Sequence, residues 1–235
     1  MACVALLLMP SGASGQIINT LRGWDEDEPG WSGELAAAIA IAQGNTEYFE
    51  FDLSAAAQFQ ADGHRVRGLA DFTRRTASGV EISEATLLHV RHNYRLTEVV
   101  HSLVFLQAQR NPFQRIDSRF LLGLGARFDL VRGETFGTSV GASYMRERET
   151  LTEDDSGATT RNRGNFFASL LGRPTDQLRV DAHAFYQPVL TDWSDARLSA
   201  GSNLDVLLVG ELALVSGFRL AHKDRQFPRR LRRAS

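Results

Sequence analysis

Apolar and polar residues alternate with a period of two from Trp31 to about Asp224, which predicts an all-β chain. Three observations sharpen this to an antiparallel, up-and-down transmembrane β-barrel. The alternation is clean within segments: Phe49, Phe51, Leu53, Ala55, Ala57 and Phe59 stand against Glu50, Asp52, Ser54, Gln58 and Gln60. The same holds for Leu178, Val180, Ala182, Ala184 and Tyr186 against Arg179, Asp181, His183 and Gln187. Turn chemistry separates roughly ten-residue segments, as in closed all-β folds. Successive strand side chains point to opposite faces, so each segment presents one apolar and one polar face. Apolar outside and polar inside is the transmembrane sense.

The elements follow in order. Residues 1–15 hold a short apolar run, Cys3 to Met9, broken by Pro10 and followed by Ala13-Ser14-Gly15. This is the expected end of a cleaved signal peptide, although no basic residue precedes Arg22. Cys3 is the only cysteine, so a mature chain cut near Gly15 has no disulfide, thiol catalysis or thiolate metal site. Residues 16–30, with the acidic run Asp25 to Glu28, form a polar periplasmic leader. The barrel is expected over 31–222. Segment one runs from Trp31 to about Gln43 and segment two to about Gln60. Segments three to six are centred on 65–75, 81–96, 99–109 and 115–130. Segment seven, Phe136 to about Arg148, precedes the longest polar stretch, Glu149 to Arg163. Segments eight to eleven cover about 165–171, 178–189, 195–209 and 212–221.

Even-numbered connections are short and several odd-numbered ones are longer, above all 149–163. Membrane barrels place short turns on the periplasmic side and long loops outside, whereas a soluble sandwich has no cause to sort its loops. A basic tail, 223–235, ends in Ser235 without alternation. Bacterial single-chain barrels have even strand numbers. About twelve strands are therefore expected in the parent design, with the last strand missing here.

Net charge is −2, which gives no polyanion-binding signal. No run of eighteen apolar residues marks a membrane helix. Neither acidic run, 25–28 or 149–155, has the spacing of a calcium-binding loop. Gly123-Leu124-Gly125 lies inside a strand pattern, where close packing or a bend explains it better than a phosphate loop. Trp31, Phe49, Tyr94, Phe136, Phe167, Tyr186 and Trp193 lie mostly near segment ends, which fits an interfacial aromatic girdle and ordinary strand formers alike.

Several short stretches resemble one family: Gly30-Trp31-Ser32-Gly33-Glu34-Leu35, Gln43-Gly44-Asn45-Thr46-Glu47, and Arg119-Phe120-Leu121-Leu122-Gly123-Leu124-Gly125-Ala126-Arg127. Together with the Leu-Thr-Glu and Pro-Thr-Asp turns they are similar to the YdiY-like family of salt-induced outer-membrane proteins, a domain of unknown function. The resemblance spans about residues 17 to 222. It implies an outer-membrane barrel and no established chemistry. The missing terminal aromatic strand is the one departure from it.

Candidate chemistry is confined to charges expected to face the lumen: Glu50, Asp52, His89, Arg91, Arg95, Asp117, Arg119, Arg127, Asp129, Asp181, His183, Asp205 and Arg219. A lumen needs paired charges because isolated ones are costly to bury. His89 and His183 are the candidate bases, yet no nucleophile–base–orienter spacing accompanies them or His101-Ser102. No catalytic residue, cofactor or metal is expected. The expected partners are outer-membrane lipid and the barrel-insertion machinery, with no nucleic acid, for a monomer. The role is structural or passive transport. Two rivals stand beside it. A soluble periplasmic β-barrel binding a small apolar ligand would have an apolar interior. An outer-membrane lipid hydrolase would need a nucleophile. Phe120, Leu122, Leu124 and Phe128 are expected to face lipid.

Overall fold

The computed structural model describes residues 29–44, 47–133, 135–152, 157–209 and 212–223. The signal peptide, nearly all of the leader and the basic tail beyond Lys223 lie outside the described residues. The strands are β1 (Gly30–Ala42), β2 (Tyr48–Ala61), β3 (His64–Ala77), β4 (Val80–Arg95), β5 (Val100–Asn111), β6 (Ile116–Arg132), β7 (Phe136–Leu151), β8 (Thr159–Thr175), β9 (Leu178–Val189), β10 (Asp192–Val209) and β11 (Leu212–Lys223). They form one sheet in sequence order, and every neighbouring pair for which a register is given is antiparallel. The up-and-down topology is thus as expected. Among the described residues β1 and β11 are not paired with each other, so the sheet has two edges.

Local chemistry sets the turns. Asp62-Gly63 and Ser78-Gly79 form two-residue hairpin loops in which both residues have positive φ (47° and 80°, 50° and 76°). That mirror-image turn matches strand twist and favours Asp-Gly pairs. At 112–114 Pro112 opens a 3₁₀ turn, Asn111 accepts a hydrogen bond from the Gln114 N–H, and Arg115 closes it at φ 61°.

Two sequence expectations are corrected. The polar stretch 149–163 is not a long loop. β7 continues to Leu151 and β8 begins at Thr159, leaving 152–158 as the connection. Loop parity is also weaker than expected. The odd connections 43–47 and 152–158 are long, but 78–79 and 190–191 are as tight as the even ones.

The faces sort as predicted. Phe120, Leu122, Leu124 and Phe128 are exposed on the outer surface, at 55, 51, 60 and 41%. Leu88, Leu106, Tyr144 and Tyr186 share that outward exposure. Residues of opposite parity turn inward. Three inward aromatic rings lie over inward glycines directly across the next strand. Phe105 covers Gly123, Phe167 covers Gly141, and His183 covers Gly201. A Cβ at Gly123 would sit 2.1 Å from the Phe105 ring. These glycines are close-packing sites, the role expected for Gly123, and the rings restore the apolar contact a glycine lacks.

Candidate functional site

The lumen is layered. At the end carrying the odd connections, Arg119 (β6), Glu147 and Glu149 (β7), Arg161 and Arg163 (β8), and Asp195 and Arg197 (β10) converge. Arg119 Nε donates to Glu149 at 2.7 Å and its guanidinium lies 3.8 Å from Glu147. Arg197 reaches from β10 to β7, donating to Glu147 at 3.1 Å and to Glu149 at 3.2 Å. Arg163 lies 3.4 Å from Glu147 and 3.1 Å from Asp195, and donates to the Gln187 carbonyl at 3.0 Å. Glu147, Glu149 and Arg163 are at most 1% exposed. Buried charges survive only when paired and hydrogen-bonded, and these are both.

Below this network sits an apolar cluster: Leu103, Phe105, Leu121, Met145, Phe167 and Phe185. Phe167 is therefore a core residue, not a girdle aromatic, because its parity on β8 turns it inward across from Gly141. A wholly polar interior is also corrected: the middle of the lumen between β5 and β9 is filled by apolar side chains. Asn165 and Gln187 join this layer to the charged one through bonds to Ser143 (2.9 Å) and Asn165 (3.1 Å).

At the opposite end a cavity of about 350 Å³ opens, lined by Arg65, Arg95, Arg127, Asp129, Arg132 and Arg173 among others. Asp129 gathers His101 (3.1 Å), Arg127 (2.7 Å) and Arg132 (2.8 Å). The cavity also reaches Asp181, which accepts from Asn203 at 2.8 Å.

The predicted charges fall into these layers unevenly. Arg119 lies in the ion network, and Arg95, Arg127, Asp129 and Asp181 line the cavity at the other end. Glu50 and Asp52 form a separate inward patch on β2, bound to Arg75 (2.6 Å) and Thr73 (2.6 Å). His89 bonds Gln107 at 3.1 Å and stacks on Phe105, while Arg91 lies 6.0 Å from the same ring. Asp205 is inward and half-buried on β10 opposite Arg179. The Arg219 side chain lies outside the described residues. Asp117 is the correction: it is exposed. The register shifts between Ile116 and Ser118, so Asp117 is the extra residue of a bulge and loses the inward parity.

Sequence reasoning missed Glu147, Glu149, Arg163 and Arg197, the heart of the network. From Met145 to Glu149 only the inward residue Met145 is apolar, because Arg146 and Arg148 face outward and Glu147 and Glu149 inward. With charge on both faces the alternation vanishes. The one signal was parity counted onward from Ser143 and Met145.

No hydrolase constellation is assembled among the described residues. His101 points inward and Ser102, its neighbour, outward, where its hydroxyl meets the Tyr94 carbonyl at 3.5 Å. Among the described residues no group of three His, Cys, Asp or Glu side chains could hold a metal ion.

Two solved structures are similar to this chain. The translocator domain of autotransporter NalP from Neisseria meningitidis is 14% identical, with a TM-score of 0.45, over 82% of this chain and 81% of that one. The NanC porin is 9% identical, with a TM-score of 0.43, over 83% of this chain and 98% of that one. At these values the likeness carries nothing about function. No curated protein matches. The sequence matches the family described as "Protein of unknown function, DUF481" over residues 35–226, most of its length, and the chain belongs to that family.

Proposed function

We propose that this chain is an outer-membrane β-barrel with a passive role, structural or as a narrow path for small polar solutes, and that it performs no chemistry. The observation that supports this reading is the outward surface. Phe120, Leu122, Leu124 and Phe128 stand exposed along β6, with Leu106 of β5 in register beside Leu122, while arginines and glutamates are buried inside. A soluble protein rarely exposes such a continuous apolar surface, and in a bilayer it is the stable arrangement. A soluble carrier with a polar exterior is disfavoured on the same ground.

The lumen supports a narrow route at most. The ion network and the apolar cluster fill it from the odd end to the middle, leaving the 350 Å³ cavity at the other end. The longest connections then face outward from the cell and the leader lies in the periplasm. Insertion machinery and lipid are the partners of such a chain, which works as a monomer. The link to salt or envelope stress rests on family resemblance alone.

The test is insertion and function in vesicles. The purified chain, folded into phospholipid vesicles, is expected to become protease-resistant and to run heat-modifiably on a gel. Phe128→Arg, at a position paired with Val140 between Phe136 and Arg146 on β7, should cost about 2–4 kcal/mol if it lies near the midplane. Conductance in planar bilayers should be small, and no release of fatty acid from phospholipid or lipopolysaccharide should be measured. An unaffected Phe128→Arg variant would refute the membrane reading. Wide-pore conductance would refute the narrow lumen, and turnover abolished by His89→Ala would refute a passive role.

A further inference from the structure

On the outer face of the sheet, a groove of about 430 Å³ runs across β4, β5 and β6 and ends against two arginines of β7. Its walls are Leu88, Leu106, Phe120 and Leu122, and its rim is Arg146 and Arg148. Register explains the shape. One row across the sheet reads Leu88, Ala108, Phe120, Arg148, and the next Val90, Leu106, Leu122, Arg146. The short Ala108 side chain between Leu88 and Phe120 leaves the depression.

The arginines are anomalous for this face. The outward arginines of β3 and β5 each meet a carboxylate, Arg74 with Glu81 at 3.5 Å and Arg110 with Glu84. Arg146 and Arg148 are exposed, and among the described residues neither forms an ion pair. A lone arginine facing lipid is costly near the midplane, roughly 2–4 kcal/mol, and nearly free at the headgroup level. Their depth fits the second case. From Phe136 to Arg146 on β7, at about 3.4 Å per residue and a tilt near 45°, the height is roughly 24 Å. The apolar band of a membrane barrel is about 25 Å tall. With Phe136 at one border of that band, Arg146 falls at the other, with Tyr144 just inside it.

We propose that the groove and the Arg146–Arg148 pair form a binding site for a membrane lipid that carries a phosphate monoester, the acyl chain in the groove and the phosphate between the guanidinium groups. The inference rests on the outer-membrane reading. Two residues apart on one strand, the arginines stand about 7 Å apart, close enough for both to grip one phosphate. Guanidinium forks suit such bidentate contacts, and the groove volume falls within the usual range for small-molecule sites.

The experiment uses the full chain folded into vesicles of phosphatidylcholine containing one tenth diphosphoryl lipid A, extracted in mild detergent and weighed by native mass spectrometry. Wild type should keep lipid A, with its anionic phosphate monoesters, and not phosphatidylcholine, whose phosphodiester is balanced by choline. Arg146→Gln/Arg148→Gln should retain at least tenfold less. Removing two outward charges lowers the cost of insertion, so that variant is expected to fold. Arg146→Lys/Arg148→Lys should retain an intermediate amount, and Arg74→Gln should behave as wild type. Equal retention by the Gln pair, or displacement of the lipid by millimolar inorganic phosphate, would overturn the site while leaving the barrel intact. Failure of wild type to insert would instead overturn the outer-membrane reading and this site with it.

Discussion

The two halves of this sheet obey one sequence pattern and reach opposite degrees of burial. Along β7 the inward residues Ser139, Ser143, Met145, Glu147 and Glu149 are all under 9% exposed. Along β1 every residue is exposed, inward and outward alike. Both strands alternate, so alternation alone does not make an interior. β7 has neighbours on both sides and long residues opposite it, including Arg197 on β10. β1 is an edge strand, and its inward positions Ala36, Ala38 and Ala40 carry side chains too short to reach across the lumen. Enclosure therefore comes from side-chain volume and curvature added to pattern. Electrostatics follow the same division: the charges on β7 are dry, those on β2 partly wet.

The largest effect is expected in the dry network. Glu147→Ala leaves Arg119, Arg163 and Arg197 without their shared carboxylate. Removing one partner of a buried ion pair costs about 3–5 kcal/mol. Urea unfolding in detergent micelles should show that loss in the midpoint. A change under about 1 kcal/mol, the range of solvated pairs, would mean that water reaches the network and that the contrast between the halves is false.

A packing version of the comparison predicts a smaller effect. Gly123 lies beneath the Phe105 ring, whereas a methyl group placed on Gly68 of β3 would meet nothing within 4 Å. Gly123→Ala forces the ring to move and should cost about 1–3 kcal/mol, as overpacking does. Gly68→Ala should be neutral or stabilise by up to about 1 kcal/mol, since glycine is a poor strand residue. Phe105→Ala in the Gly123→Ala background should recover part of the loss. Additive costs in that double-mutant cycle would refute the ring-on-glycine contact.

Much of the fold was legible in the sequence. Strand number, order, outward face and family membership follow from alternation and short motifs, because a period of two fixes which medium each face meets. The outer row Phe120, Leu122, Leu124 and Phe128 is the clearest case. What was illegible had local causes. Glu147 and Glu149 were hidden because their outward neighbours Arg146 and Arg148 are charged as well. Arg163 fell in a polar run that reads as loop. Asp117 lost its face to a bulge that no alternation count reveals. Phe167 looked like a girdle residue because its depth along β8 depends on where that strand begins.

The smallest effect separates the wet half from the dry one by salt. Arg75 lies 2.6 Å from Glu50, but their side chains are about a fifth exposed, at 20 and 22%. A partly solvated pair gains at most about 1 kcal/mol and is weakened by salt. At about 1 M salt the screening length falls to roughly 3 Å, while buried pairs are screened much less. Arg75→Gln should therefore cost about 0.5 kcal/mol at low salt and nothing measurable at about 1 M. The cost of Glu147→Ala should stay nearly constant over the same range. Parallel salt series on both variants, read from unfolding midpoints, make the comparison direct. If the two costs fall together, the network at β7 is hydrated and the lumen is open to ions along its length. If neither falls, the β2 patch is as dry as the β7 network, and the edge half of the sheet is enclosed after all.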